Sequence, residues 1–109
     1  MSTVDVGALG DIPDGGCLAV MVEDTPLALV RTEGKVFAIF DRCSHADVAL
    51  SEGEVTGCEI ECWLHGSSFD LRTGEPLSLP ATAPVPVYPV TVAGSGDDAR
   101  VTVTLAPTA

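Results

Sequence analysis

The sequence predicts an all-β fold: an antiparallel β-sandwich or barrel-like base with a separate subdomain inserted into it. Two groups of short apolar or β-branched runs, one towards each end of the chain, are separated by turn residues. No window of a dozen residues shows the 3.6-residue period of an amphipathic helix. The segment from about residue 41 to residue 84 lies between the two groups, and we interpret it as the inserted subdomain.

The first group contains four predicted strands, at residues 4–9, 18–22, 27–31 and 35–40. Turn signals separate them: Asp14-Gly15-Gly16, then residues 23–26, then Glu33-Gly34. Short turns between consecutive strands are typical of antiparallel neighbours, so we expect these four strands to form a meander.

Three further strands are predicted near the end of the chain, at 85–87, 90–93 and 100–105, with residues 94–98 as a hairpin loop. Inside the inserted segment, residues 56–61 alternate with a two-residue period and predict another strand. Cys58, Ile60 and Cys62 would share one of its faces, and Glu59 and Glu61 the other. This placement explains Cys58 as a small apolar residue.

Length and charge exclude several classes of function. The chain has 109 residues, so we expect residues 1–109 to form a single domain, without a second one for a substrate pocket. Sixteen acidic and five basic residues give a net charge of −11, which would repel nucleic acid. The acidity either keeps the protein soluble or steers it towards a basic partner surface.

The N-terminus, residues 1–6, lacks a basic region followed by a long apolar run. We therefore expect neither a signal peptide nor a membrane anchor, and we expect a soluble, cytoplasmic protein. Reducing surroundings would suit Cys17 and Cys58 as free thiols.

Two short arms of mixed metal ligands lie in the inserted segment. Cys43-Ser44-His45 and Cys62-Trp63-Leu64-His65 each supply one thiolate and one imidazole, and sixteen residues separate them. Two Cys on one iron and two His on the other are the ligands of a Rieske-type 2Fe-2S cluster. An oxidised cluster of this kind has no net formal charge, so it accepts an electron more readily than a cluster held by four thiolates. The arms thus predict Cys43, His45, Cys62 and His65 as ligands, and electron transfer rather than catalysis as the function.

Other interpretations of these residues remain open on spacing alone. Zinc also accepts two Cys and two His, although its arms usually pair Cys with Cys and His with His. The four cysteines, Cys17, Cys43, Cys58 and Cys62, could form disulfides, although nothing marks the chain as secreted. The ligand residues could also be incidental, although both histidines of the chain lie in the arms.

The residues around the arms closely resemble Rieske-type ferredoxins, the small electron carriers of ring-hydroxylating dioxygenases and related oxygenases. The resemblance depends on residues 43–53, residues 61–70 and Thr73-Gly74, and it extends over nearly the whole chain. It implies a Rieske-type fold in which a third loop, containing Pro80-Ala81, screens the cluster from water.

The same resemblance implies roles for the four ligands and for the partners. Cys43 and Cys62 would bind the inner iron, and His45 and His65 the outer, more exposed iron. The electron donor would be a ferredoxin reductase, and the acceptor an oxygenase or a similar protein.

Two alternatives to the oxygenase function remain open. Residues 61–67 together with 79–82 also look like the Rieske ferredoxins that accompany iron–sulfur assembly machinery, which would imply a redox or regulatory role there. A cluster-free structural domain, similar to the small subunit of nitrite reductase, is the other alternative, and the four intact ligands argue against it.

Departures from other Rieske proteins predict a low reduction potential. In the high-potential proteins of respiratory complexes, an additional Cys in each arm forms a disulfide, and Val48 and Leu64 stand at those positions here. A Ser and a Tyr in those proteins donate hydrogen bonds to sulfur; Ser67 matches the Ser, but Phe69 replaces the Tyr. Since such bonds favour the reduced state, we expect a midpoint nearer roughly −150 mV than +300 mV.

Several neighbouring residues could shape the arms. Asp41 and Arg42 precede the first arm and either orient it through a salt bridge or form a solvated surface pair. Trp63 either packs over the cluster or is an exposed docking contact. Gly53 would permit the turn between the arms, and Gly66 would let the backbone pass close to the cluster.

Overall fold

The computed structural model describes residues 3–42, 49–63, 67–77 and 84–105, which are built almost entirely of β-strands. The strands are β1 (Thr3–Ala8), β2 (Gly16–Val22), β3 (Thr25–Thr32), β4 (Lys35–Phe40), β5 (Glu54–Thr56), β6 (Glu59–Glu61), β7 (Ser68–Asp70), β8 (Val87–Tyr88), β9 (Val90–Ala93) and β10 (Arg100–Thr104). Short 3-10 turns occur at Leu9–Asp11, Leu50–Glu52 and Gly96–Asp98, and these four ranges contain no α-helix. The predicted all-β class is confirmed. No helix in the described ranges has the length and apolar character that crossing a membrane requires.

The strands form three antiparallel sheets, in the orders β1-β10-β9, β2-β3-β4-β8 and β5-β6-β7. The predicted meander is confirmed for β2, β3 and β4. Its extension to β1 is wrong, because β1 pairs with β10, placing Val4 opposite Val103. Pairing between the two ends of a chain depends on tertiary packing, and local turn signals do not reveal it.

Tight turns connect the meander at the predicted places. Glu23 and Asp24 have φ angles of 47° and 69°, and Glu33 and Gly34 have φ angles of 52° and 73°. Positive φ at both central residues is the pattern of a type I′ turn, whose twist matches that of the flanking strands. These turns bring β2 and β4 onto either side of β3.

The four-stranded sheet is the middle of three layers, because β3 is buried on both faces. Consecutive β3 side chains point in opposite directions. Leu29 packs into a core shared with Val101 of β10, whereas Val30 packs into a second core shared with Phe69 of β7. Cys62 is a buried member of this second core. The third sheet is therefore held on the middle sheet by apolar contacts that include a predicted ligand.

The third sheet shows that the single strand predicted over residues 56–61 is wrong at its centre. β5 and β6 are two strands of a hairpin, and Gly57 and Cys58 form the turn between them. Gly57 has a φ of 57°, a left-handed conformation that costs little without a Cβ. Ile60 and Cys62 are buried as predicted, but Cys58 lies partly exposed in the turn.

The strands near the end of the chain lie close to their predicted positions. β9 matches its prediction, β10 ends one residue early, and the predicted loop contains the last 3-10 turn. The strand predicted at 85–87 is instead Val87–Tyr88. Pro86 precedes it; its carbonyl oxygen accepts from the N–H of Phe40 at 2.9 Å, but proline has no N–H to donate, and the strand itself begins at Val87.

Candidate metal centre

Of the four predicted ligands, the structure describes one, Cys62. Cys43, His45 and His65 lie outside the described residues, as do Gly66 and Pro80-Ala81. Cys62 follows β6 directly and its side chain is completely buried. The described residues hold no group of three or more His, Cys, Asp or Glu side chains placed to bind a metal ion. The anchoring of the two arms is therefore the part of the site that the geometry defines.

The second arm is closed where it leaves and rejoins the third sheet. The backbone N–H of Cys62 donates to the carbonyl oxygen of Ser67, with an N···O distance of 2.6 Å. Ser67 is completely buried, and β7 begins at the next residue. This bond extends the β6–β7 ladder by one step, so that Cys62 and Ser67, on either side of the rest of the second arm, are held together.

The first arm is closed by a buried carboxylate that the sequence did not reveal. Asp41, directly after β4, is 5% exposed and accepts two hydrogen bonds from Ser51. The backbone N–H and the hydroxyl of Ser51 each lie 2.7 Å from a carboxylate oxygen of Asp41. Asp41 is therefore not part of a solvated surface pair. The only feature of the sequence that points to a role for Asp41 is its position two residues before Cys43.

A close backbone approach joins the ends of the two arms. A Cβ on Gly53 would overlap the carbonyl oxygen of Glu61, the residue before Cys62. The φ angle of Gly53 is −89°, which any residue can adopt. A glycine is needed here because there is no room for a side chain, and not because the backbone is left-handed. The prediction that Gly53 shapes the chain between the arms has this physical basis.

A third loop also begins and ends at a fixed point. The N–H of Val85 donates to the carbonyl oxygen of Gly74 at 2.8 Å, and a Cβ on Gly74 would overlap the carbonyl oxygen of Val85. The N–H of Leu77 donates to the carbonyl oxygen of Ser68 at 2.7 Å. Leu77 is therefore tied to β7 directly, and Val85 is tied to it through Gly74, whose own N–H donates to the carbonyl oxygen of Asp70.

The two cysteines without a predicted ligand role have different surroundings. Cys17 is half-buried in β2, and its thiol donates to the carbonyl oxygen of Ser51 at 3.0 Å. Burial, and then the charge of Asp41, raise the pKa of Cys17. The Cys58 thiol donates to Glu33 Oε1 at 3.2 Å, and this bond is the main cause of its raised pKa. Both groups are therefore held as protonated thiols.

Apolar and acidic side chains are exposed on the part of the molecule that carries the arms. Trp63 and Leu77 are each 50% exposed, and each precedes residues outside the described ranges. We define the acidic face as Glu54, Glu59 and Glu61, which are exposed on the outer side of the third sheet. Glu54 and Glu61 are direct cross-strand partners, an arrangement that disfavours folding.

Comparison with known proteins identifies the family. Residues 2–89 match the Rieske [2Fe-2S] domain. The chain belongs to this family. Its cofactor is a 2Fe-2S cluster, and two Cys and two His in anchored arms, with the Cys62 side chain buried in an apolar core, are a donor set that fits this cluster.

Relatives and solved structures narrow the type of Rieske domain. The 3-phenylpropionate/cinnamic acid dioxygenase ferredoxin subunit of Photorhabdus laumondii is 48% identical over 94 residues, which cover 84% of this chain and 88% of that protein. The ferredoxin of carbazole 1,9a-dioxygenase from Nocardioides aromaticivorans IC177 superimposes with a TM-score of 0.85 at 36% identity, covering 95% of this chain and 98% of that one. A chain in a complex of reduced oxygenase and oxidized ferredoxin from carbazole 1,9a-dioxygenase superimposes with a TM-score of 0.79 at 33% identity. The match covers 93% of this chain and 92% of that chain.

These similarities confirm the predicted class of function. The relatives are ferredoxin components of dioxygenase systems, and this Rieske domain is a one-electron carrier of that kind. They favour the oxygenase interpretation over a role in iron–sulfur cluster assembly.

Proposed function

We propose that this Rieske domain carries single electrons from a ferredoxin reductase to the terminal oxygenase of a dioxygenase system, with Cys43, His45, Cys62 and His65 as its cluster ligands. The observation that carries the proposal is the complete burial of Cys62, in the all-β fold of a Rieske ferredoxin, at the base of an arm closed by a backbone hydrogen bond. The ligand sequence of both arms and the dioxygenase ferredoxins among the relatives support it. On this proposal the chain is not an enzyme.

The protein's own residues make the two sides of the site different. When bound, the cluster supplies a one-electron redox centre. Cys62 belongs to the same buried apolar core as Ile60 and Phe69, so water is excluded from the side where its sulfur lies. Electron exchange with a partner then takes place from the opposite side, which we assign to His45 and His65.

Trp63 and Leu77 are our candidates for the partner contact. Each side chain is half exposed. Trp63 follows Cys62, which is bonded to Ser67, and Leu77 is bonded to the adjacent Ser68. Aromatic residues are enriched at the energetic centres of protein interfaces, and this supports the docking alternative for Trp63 over the lid. We propose that both the reductase and the oxygenase dock here, so that the carrier binds them in turn.

The organisation of the chain follows the same proposal. We assign residues 1–109 to one Rieske domain and residues 41–84 to its cluster-binding subdomain, an assignment supported by a third sheet that lies within those limits. We place the protein in the cytoplasm. Free thiols at Cys17 and Cys58 agree with a reducing compartment.

Reconstitution tests the proposal directly. The purified protein is reduced with dithionite and mixed in a stopped-flow instrument with the terminal oxygenases of carbazole, naphthalene and phenylpropionate dioxygenase systems. We expect rapid reoxidation by one or more of them, and slower transfer from the Trp63→Ala variant. Met21→Ala is the matched control, since Met21 is a large exposed apolar residue on β2. A protein that is reduced normally but reoxidised by none of the oxygenases would contradict the proposed function.

A further inference from the structure

The chain just before and just after the loop that carries the first arm is held by three polar residues that the electron-transfer function does not itself require. Asp41 follows β4, Ser51 lies in the 3-10 turn before β5, and Cys17 belongs to β2. We call these three residues the Ser51 clasp. Asp41 accepts from the N–H and the hydroxyl of Ser51, both at 2.7 Å, and the carbonyl of Ser51 accepts from the Cys17 thiol at 3.0 Å.

Each of the three polar groups of Ser51 takes part in the clasp. The N–H, hydroxyl and carbonyl of Ser51 each have a partner within the clasp, and Asp41 itself is held because its N–H donates to the carbonyl oxygen of Pro26 at 2.9 Å. A carboxylate that is 5% exposed is costly to bury unless it is hydrogen-bonded, so its two bonds to Ser51 are strongly favoured. Ser51 is therefore fixed relative to β2, β3 and β4.

We infer that Asp41 is a positioning residue for the first arm: by fixing Ser51, it closes the nine residues 42–50 into a loop of set span and holds Cys43 and His45 on the cluster. The inference rests on the ligand assignment in the proposed function. None of the described hydrogen bonds of Asp41 goes to a ligand residue. Asp41 instead acts on the ligands indirectly, by holding the two ends of the loop that contains them. Gly53, two residues beyond Ser51, abuts Glu61, so the same anchor sets the first arm against the second.

Cluster release from the intact protein measures this role. The full-length holoprotein is incubated with an iron chelator, and loss of the visible absorbance is followed for wild type, Asp41→Ala, Asp41→Asn and Ser51→Ala. Changes to residues that orient metal ligands commonly alter metal affinity by about 10-fold to 100-fold, so we expect Asp41→Ala to release its cluster at least about tenfold faster. Asp41→Asn retains an acceptor for the Ser51 N–H and should release more slowly than Asp41→Ala.

Asp5→Ala is the matched control. It also removes a carboxylate with three hydrogen bonds, two from Arg100 and one from Gly7, but on β1, away from the arms. Urea unfolding of the same samples separates a structural effect from positioning. We expect the Asp41 and Ser51 variants to release cluster faster than a control of equal global stability, and to change the electron-resonance spectrum of the reduced state.

A double variant keeps the test decisive if Asp41→Ala does not fold. Asp41→Asn and Ser51→Ala each weaken the same pair of hydrogen bonds between the two residues, so their effects should not add. The double variant should therefore release its cluster little faster than whichever single variant releases it faster. Release within twofold of wild type for all foldable clasp variants, or release that follows global stability as in the control, would overturn the inference. An oxygenase that fails to accept electrons would refute the proposed function instead and would leave these release rates unchanged.

Discussion

At the scale of single residues, Gly53 is where the two arms depend most directly on the absence of a side chain. Any Cβ there would overlap the backbone carbonyl of Glu61, and a backbone atom in a paired strand cannot move aside as a side chain does. The residue therefore links the anchor of the first arm to the strand that leads into the second.

We predict that Gly53→Ala lowers the free energy of unfolding by about 1–3 kcal/mol, the usual cost of overpacking a close contact, and also accelerates cluster loss. Urea denaturation of the holoprotein measures the first effect. Gly16→Ala is the control, because a Cβ there would lie 3.1 Å from the Pro13 Cβ, a neighbour that can shift. Equal stability of the two variants would show that the Gly53 approach is not constrained.

The Cys58 thiol donates a hydrogen bond to the carboxylate of Glu33 in the neighbouring turn. Its bond to Glu33 raises its pKa, so at mildly alkaline pH a smaller fraction is thiolate, the reactive form. Glu33→Gln removes the charged acceptor and should lower that pKa, increasing alkylation of Cys58 by iodoacetamide severalfold.

Peptide mass mapping distinguishes Cys58 from the half-buried Cys17 in this experiment. Glu75→Gln removes a different exposed carboxylate, one that lies in the inserted segment, and should leave the alkylation rate unchanged. Equal Cys58 reactivity in wild type and Glu33→Gln would mean that the thiol and Glu33 do not interact in solution.

At the scale of elements, the pairing of β1 with β10 joins the two ends of the described chain. Asp5 of β1 accepts two hydrogen bonds from the guanidinium of Arg100 on β10, at 2.7 Å and 3.0 Å. The bond from Arg100 is the main reason that the pKa of Asp5 lies below its ordinary value. The ion pair therefore reinforces the sheet edge where β1 is added.

We predict that Asp5→Asn is less stable than wild type at neutral pH and that the difference disappears in acid. Since the folded pKa of Asp5 is lowered, its contribution is fully present above the pKa of the unfolded chain and is lost as the pH falls through the folded value. Urea midpoints measured from neutral to acidic pH test this. A difference between variant and wild type that persists at the acidic end would contradict the assignment.

Strands with local signals were predictable, and contacts between distant segments were not. Lys35–Phe40 was predicted correctly because an apolar, β-branched run follows a Glu-Gly turn. The β5–β6 hairpin was missed because residues 56–61 alternate in polarity across Gly57, and one glycine does not show whether a strand bends or continues. The strand β1 was predicted close to its observed position, but its pairing was predicted wrongly because its partner β10 is about a hundred residues away.

The same limit applies to the site. The ligand set Cys43, His45, Cys62 and His65 follows from the chemistry and spacing of two short arms and stays a prediction, since the structure describes only Cys62 among them. Asp41 could not be recognised as a buried anchor, because its partner Ser51 is ten residues away and an acidic residue beside an arginine is typical of a solvated surface. The exposure of Trp63 likewise depends on packing rather than on its own sequence position.

At the scale of the whole molecule, the net charge of −11 bears on how partners are found. The acidic face keeps Glu54 opposite Glu61 although such a pair disfavours folding, an arrangement that steering towards a basic partner surface would explain. A long-range attraction of this kind weakens as salt screens it.

We predict that the bimolecular rate of electron transfer to the oxygenase falls as ionic strength rises, and that Glu54→Gln with Glu61→Gln flattens this dependence without lowering stability. Stopped-flow rates over a salt series measure both effects. Asp97→Asn with Asp98→Asn removes the same charge from the exposed 3-10 turn between β9 and β10, in the sheet on the other side of the middle sheet, and should retain more of the salt dependence. A flat or rising profile for wild type would remove the steering explanation.

A potentiometric titration of the purified protein, combined with iron, sulfide and zinc analysis of the same sample, tests the central claim most directly. If two Cys and two His are the ligands, and with Val48, Leu64 and Phe69 in place of the disulfide cysteines and the tyrosine donor, we expect about two iron and two sulfide per chain and a midpoint nearer roughly −150 mV than +300 mV. A single zinc per chain, or an iron–sulfur midpoint near the value of about −400 mV typical of plant-type ferredoxins, would contradict the mixed ligand set.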